Sequence, residues 1–235
     1  MARVPTERWV GFGALANVAL LAVGVVRTPT ALTASRNGPL GLGAALGMLA
    51  LYAWLVRSGP LSSRRNHDGA VDAGAKLGLA LGAFFAAQVL VEYIIPVTPR
   101  IDSALGMVVF GSLPIWFLAS GIVGGRRGGS VRAGIASASL TAVFGTLAWF
   151  LIILLSLEAF RGTPQQERVL NADMVVDDFR RSGMTDFRAF VLQDYWGGGF
   201  FHMLLSPILA TPFGALGGWL RSLGRRAEGR CRTAR

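Results

Sequence analysis

Apolar and polar positions along this chain fall into long blocks rather than helical or strand periods. Six apolar stretches, at residues 9–26, 40–56, 77–97, 104–123, 133–157 and 200–220, carry few or no charges and are separated by polar segments. A hydrocarbon core about 30 Å thick takes roughly 20 residues of helix to cross, and blocks of about 17–25 residues meet that length. Inside a bilayer every backbone amide must be paired within the protein, so stretches of this kind are helices rather than open strands. The pattern predicts an all-α fold, a polytopic membrane bundle of six transmembrane helices with a helical outer loop. The second stretch is the shortest and opens with "GLGAALG".

The connection at 158–199 breaks the rhythm, because about 40 residues without structure of their own are unusual between packed elements. Within it, "PQQERVLNADMVVDDFRRSG" starts at Pro164 and stops at Gly183, the punctuation of a helix. Val169, Ala172, Val176 and Phe179 form one apolar stripe, and a second short helix follows in "TDFRAFVLQDYW" with Thr185 as its N-cap. Two amphipathic helices are therefore expected on the outer face. "DYWGGGFF" reads as a joint back into the membrane, with Tyr195 and Trp196 at the interface and Gly197 to Gly199 loosening the backbone. The resulting organisation is spans one to five in 1–157, an extracytoplasmic helical segment in 158–199, span six in 200–220 and a basic cytoplasmic tail in 221–235.

Basic residues give the orientation. Two lie in the N-terminal tail, four in the second loop, three in the fourth and six in the C-terminal tail, against two, one and five in the alternate loops. The side richer in Lys and Arg is cytoplasmic, which places both termini inside at a cell membrane. "ALTAS" after the first block is an imperfect cleavage site and the block exceeds a signal-peptide core, so it is kept as a span.

Composition agrees: 52% of residues are hydrophobic, glycine contributes 31, and the net charge is +10. Because the basic residues border span ends rather than gather on a soluble module with stacking aromatics, the charge implies no nucleic-acid partner. It points instead to anionic headgroups, with Arg221, Arg225 and Arg226 the candidate contacts. The single Cys231 forms no intramolecular disulfide and misses the prenylation spacing.

Glycines recur every fourth residue at Gly74, Gly78 and Gly82, and again at Gly214 and Gly218, with Gly43 and Gly47 repeating the theme. Small residues at that interval let helices approach closely, which predicts a tight bundle and says nothing about chemistry; a membrane protein partner or a homo-oligomer is a separate expectation.

Chemistry is sparse. "GFGALA" at Gly11 fits a dinucleotide fingerprint but lies inside a span with no preceding strand, and His67 and His202 belong to opposite sides with one cysteine available, so no cofactor and no metal is expected. Ser120 and His202 sit at opposite depths and share no proton, and Ser112 lacks a glycine-rich nucleophile motif, so no catalytic residue is assigned. What stands out is a polar set: Gln88 and Glu92 one turn apart near the outer end of span three, His202 entering span six from that side, and Asn17 in span one. An intramembrane carboxylate is costly unless partnered, and His202 is the partner considered for Glu92. The reading is a non-enzymatic accessory, scaffold or interaction subunit. The alternative is a small-solute or proton-linked transporter using Glu92. A mid-bilayer cavity shared by Asn17, Gln88 and Glu92 favours transport, and a packed interior with an exposed apolar flank favours a subunit.

Overall fold

The computed structural model describes residues 6–62, 68–95 and 98–233, and the side chains of these except 99, 102 and 222–233. His67 and the side chains of Arg225, Arg226 and Cys231 lie outside the described residues. Among the described residues eight α-helices follow one another: α1 Thr6–Arg27, α2 Asn37–Arg57, α3 Asp68–Ile94, α4 Pro99–Gly128, α5 Val131–Ala159, α6 Pro164–Ala172, α7 Val175–Ser182 and α8 Phe187–Thr233, with a 3-10 turn at Pro29–Leu32 before α2. Six of them, α1 to α5 and α8, are long and apolar enough to cross a membrane.

Local chemistry sets several boundaries. Thr98, Ser130 and Thr163 each accept a bond from the amide three residues on, and Pro99 and Pro164 occupy first-turn positions where no amide donor is needed. Gly129, at φ 74°, closes α4 in the left-handed region and lets α5 start almost at once.

The centre of the bundle is α5. Of its span, 72% is buried, against 28–33% in the other five, because α3, α4, α8 and α1 all pack on it. Close approach explains this. A Cβ on Gly74 would stand 2.5 Å from the Ser137 oxygen, and one on Gly78 would stand 2.5 Å from Phe144 Cβ, so α3 lies directly against α5. A Cβ on Gly214 would stand 3.0 Å from the Gly134 oxygen and one on Gly218 would stand 2.9 Å from Val131 Cα, while Gly121 and Gly125 of α4 close on the same α8 stripe. Glycine at these contacts replaces side chains that the spacing has no room for.

The segment between α5 and the buried part of α8 departs from the sequence expectation in three ways. Residues 164–183 form two helices rather than one, because Met174 takes φ 61° and breaks the chain direction between α6 and α7. The second expected helix and the sixth span are a single helix, α8. Its N-terminal cap is Asp186 rather than Thr185: Asp186 Oδ1 accepts from the Ala189 amide at 3.1 Å. Gly197 to Gly199 are therefore helical and not a joint. At Gly199 the missing side chain is needed, since a Cβ there would collide with the Phe150 ring. Trp196, expected near the membrane interface, is fully buried within the protein.

α6, α7 and the first turns of α8 cover one end of the bundle. Arg161 donates to Thr28 Oγ1, Thr30 Oγ1 donates to Asp186 Oδ2 at 2.6 Å, and Gln193 Nε2 donates to the Ala31 oxygen at 2.8 Å. These bonds fasten the cap to the α1–α2 connection. At the far end, Asp72 pairs with Lys76 and Arg127 at 2.9 and 3.0 Å.

Candidate functional site

The polar set read from the sequence separates into two places. Asn17 is fully buried, and its Nδ2 donates to the Gly13 oxygen at 2.9 Å and the Leu147 oxygen at 3.1 Å. It ties α1 to the central helix. Ser120 is similarly absorbed, bonded to Ser137 at 2.9 Å and Thr141 at 2.7 Å, and Thr141 donates to the Gly74 oxygen at 3.1 Å. Tyr52 donates to the Met203 oxygen at 2.6 Å and so links α2 to α8. Hydroxyls and the Asn17 amide nitrogen thus bond one another or backbone carbonyls across the interior, the behaviour expected of polar groups away from water, while Asn17 Oδ1 is buried without a partner.

Gln88, Glu92 and His202 meet elsewhere, around a cavity of about 320 Å³ beneath the cap. Gln88 Nε2 donates to Glu92 Oε1 at 2.6 Å along α3. His202 approaches from α8, its ring stacked on Phe110 at 5.0 Å and 14° and edge-on to Trp149 at 4.4 Å. Glu92 and His202 share this wall, and their contacts differ: Gln88 holds the carboxylate, and aromatic rings hold the imidazole.

Three further carboxylates, missed from the sequence, reach the cavity: Asp173 between α6 and α7, Asp178 of α7 and Asp194 of α8. Asp178 is paired with Arg181. The acidic side chains were legible only as the polar faces of amphipathic helices. Their convergence depends on how the cap folds back, which no local pattern encodes.

A second feature lies on the surface of α2. Its buried residues, including Ala45, Leu49, Tyr52 and Val56, face α1 and α8. On the opposite side Leu40, Gly43, Gly47, Ala50 and Trp54 are all exposed, at alternating spacings of three and four. A Cβ on Gly43 or Gly47 would meet nothing within 4 Å. The stripes on α3 and α8 are filled by neighbouring helices, and this one is bare. Arg221, the candidate headgroup contact with a described side chain, lies on α8 toward the end away from the cap.

Compared with protein-family models, with curated proteins and with solved structures, the chain has no match in any of the three.

Proposed function

We propose that this chain is a non-enzymatic integral membrane subunit whose task is to hold another membrane helix against α2. The observation that carries the reading is the bare Gly43/Gly47 pair at the centre of an exposed apolar seam. Association of helices in lipid gains from backbone proximity, van der Waals packing and weak hydrogen bonds rather than from hydrophobic transfer, since lipid is as apolar as the side chains it would replace. A flat glycine surface flanked by Leu40 and Trp54 provides that proximity, and no described residue of the chain fills it. The interior supports the same reading. The central helix is packed on several sides, and Asn17, which a route through the bundle would share with Gln88 and Glu92, is instead bonded between α1 and α5.

In-membrane photocrosslinking tests this. A photoreactive residue at Gly47 in native membranes should give one discrete protein adduct, and the same residue at Met107, an exposed apolar position on α4, should give lipid adducts. Lipid adducts alone at both positions would reject the proposal.

A further inference from the structure

Another cavity, of about 200 Å³, lies between the cap and the ends of α1 and α5, and no residue of the α2 seam lines it. Leu157, Leu170, Val191 and Leu192, all buried, supply its apolar wall. Its neutral polar side chains are spent on the protein itself. Thr163 Oγ1 donates to the Phe160 oxygen at 2.6 Å, and Gln166 Nε2 donates to the Leu157 oxygen at 3.0 Å while its Oε1 accepts from the Gly162 amide at 2.9 Å.

The two arginines that line the cavity are not spent in this way. The guanidiniums of Arg27 and Arg161 converge on one carboxylate, Glu158, and Arg27 takes the short contact, at 2.9 Å against 3.7 Å for Arg161. The longer separation is past hydrogen-bond reach. Arg161, whose side chain is only 24% exposed, is left with the neutral Thr28 hydroxyl as its hydrogen-bond partner among the described residues. Arg188, on the first turn of α8, makes no side-chain hydrogen bond or ion pair among the described residues, and neighbouring Asp186 is already bonded to Thr30 and the Ala189 amide.

A partly buried guanidinium with unspent donors gains most from a carboxylate, whose two oxygens match its planar fork. The apolar wall beside it selects a ligand with a hydrocarbon part. At about 200 Å³ the cavity is smaller than the roughly 300–1,000 Å³ of drug-sized sites, which limits that part to about six carbons. Glu167 also lines the cavity and opposes an anion, but it is exposed, so solvent keeps the opposition weak.

We infer that this cavity binds a small carboxylate with an apolar tail, its charged end on Arg161 with Arg188 adding attraction, and its tail against Leu157, Leu170 and Leu192.

The experiment is isothermal titration of hexanoate, at about pH 7, into the purified full-length chain in nonionic detergent, blanked against empty micelles. Acetate, hexan-1-ol and hexylamine are the comparators. Hexanoate should bind saturably and at least tenfold tighter than each of them, since acetate lacks the tail, the alcohol lacks the charge and the amine carries the wrong sign. Arg188→Gln, at an exposed position, should weaken hexanoate about two- to fivefold, the range of an exposed charge. Arg161→Lys should weaken it about tenfold, because lysine keeps the charge and loses the fork. Glu167→Gln should tighten it about twofold. Each variant is first checked for a wild-type unfolding midpoint, and where Arg161→Lys fails that check, Arg188→Gln decides. Absence of saturable binding, equal affinity for any comparator, or hexanoate affinity unchanged in Arg188→Gln would overturn the inference. So would weaker binding in Glu167→Gln, which would mark a ligand that carries an ammonium.

Discussion

Gly134 of α5 meets Gly214 of α8 so closely that a Cβ on Gly134 would stand 2.7 Å from the Gly214 oxygen. The two helices therefore touch backbone to backbone, with α4 arriving through Gly121 at the same point. Enlarging this contact forces helices apart. Gly214→Leu should lower the detergent unfolding midpoint by the equivalent of about 1–3 kcal/mol or abolish folding, the usual cost of overpacking. An unchanged midpoint would mean that α8 does not lie against α5 here.

The amide of Asn17 bonds α1 to the backbone of α5 at the Leu147 oxygen, and it can be removed without adding volume. Asn17→Ala should destabilise the bundle by roughly 0.6–1.7 kcal/mol, the range for interhelical bonds in membranes. Equilibrium unfolding in mixed micelles measures this, and a neutral or stabilising effect would show that the bond carries no net weight.

The six spans were readable because each is a long block with at most one charge, and a bilayer demands helix from such a block whatever its neighbours are. The break at Met174 was not, because neither Gly nor Pro marks it. The left-handed turn is imposed by how α6 and α7 seat on the bundle, and Met174 itself stays 55% exposed. The run Gly197 to Gly199 misled for the opposite reason. Glycine signals freedom in isolation, yet here Gly199 answers the Phe150 ring, and Gly197 and Gly198 are simply helical. Gln88 and Glu92 announced themselves by polarity within a span, whereas Asp173, Asp178 and Asp194 looked like ordinary solvated faces until the cap folded over them.

Met174 supplies its own test. A non-glycine residue at φ 61° carries left-handed strain of about 1–2 kcal/mol. Part of that is recovered on substitution by glycine, offset by about 0.5–1 kcal/mol of extra unfolded-chain entropy. Met174→Gly should therefore be neutral to slightly stabilising, and Gly183→Ala, at φ 71°, should be destabilising. Thermal unfolding of the two variants compares them, and the reverse order would contradict the turn geometry.

Asp186 caps α8 and receives the Thr30 hydroxyl, and these bonds hold its carboxyl below the usual carboxylate range, Thr30 contributing most and the Ala189 amide next. A depressed folded value means the stabilisation is complete above the unfolded value, near 3.9, and is lost as pH falls through the lower folded one. Asp186→Ala should cost about 0.5–2 kcal/mol at pH 7, as for other lost N-caps. The gap to wild type should narrow in unfolding scans below about pH 3. A gap that stays constant down to pH 2 would rule out the charged cap.

The proposal that α2 holds a partner helix separates cleanly from fold stability, because Gly43 and Gly47 face open space. The decisive measurement is affinity purification of the chain from native membranes, with quantified co-purifying protein, for wild type and for the Gly43→Leu/Gly47→Leu double variant. A stoichiometric partner or second copy is expected with wild type, lost at least tenfold in the double variant, while the two unfold at the same temperature. Equal recovery of the same partner from both would contradict it.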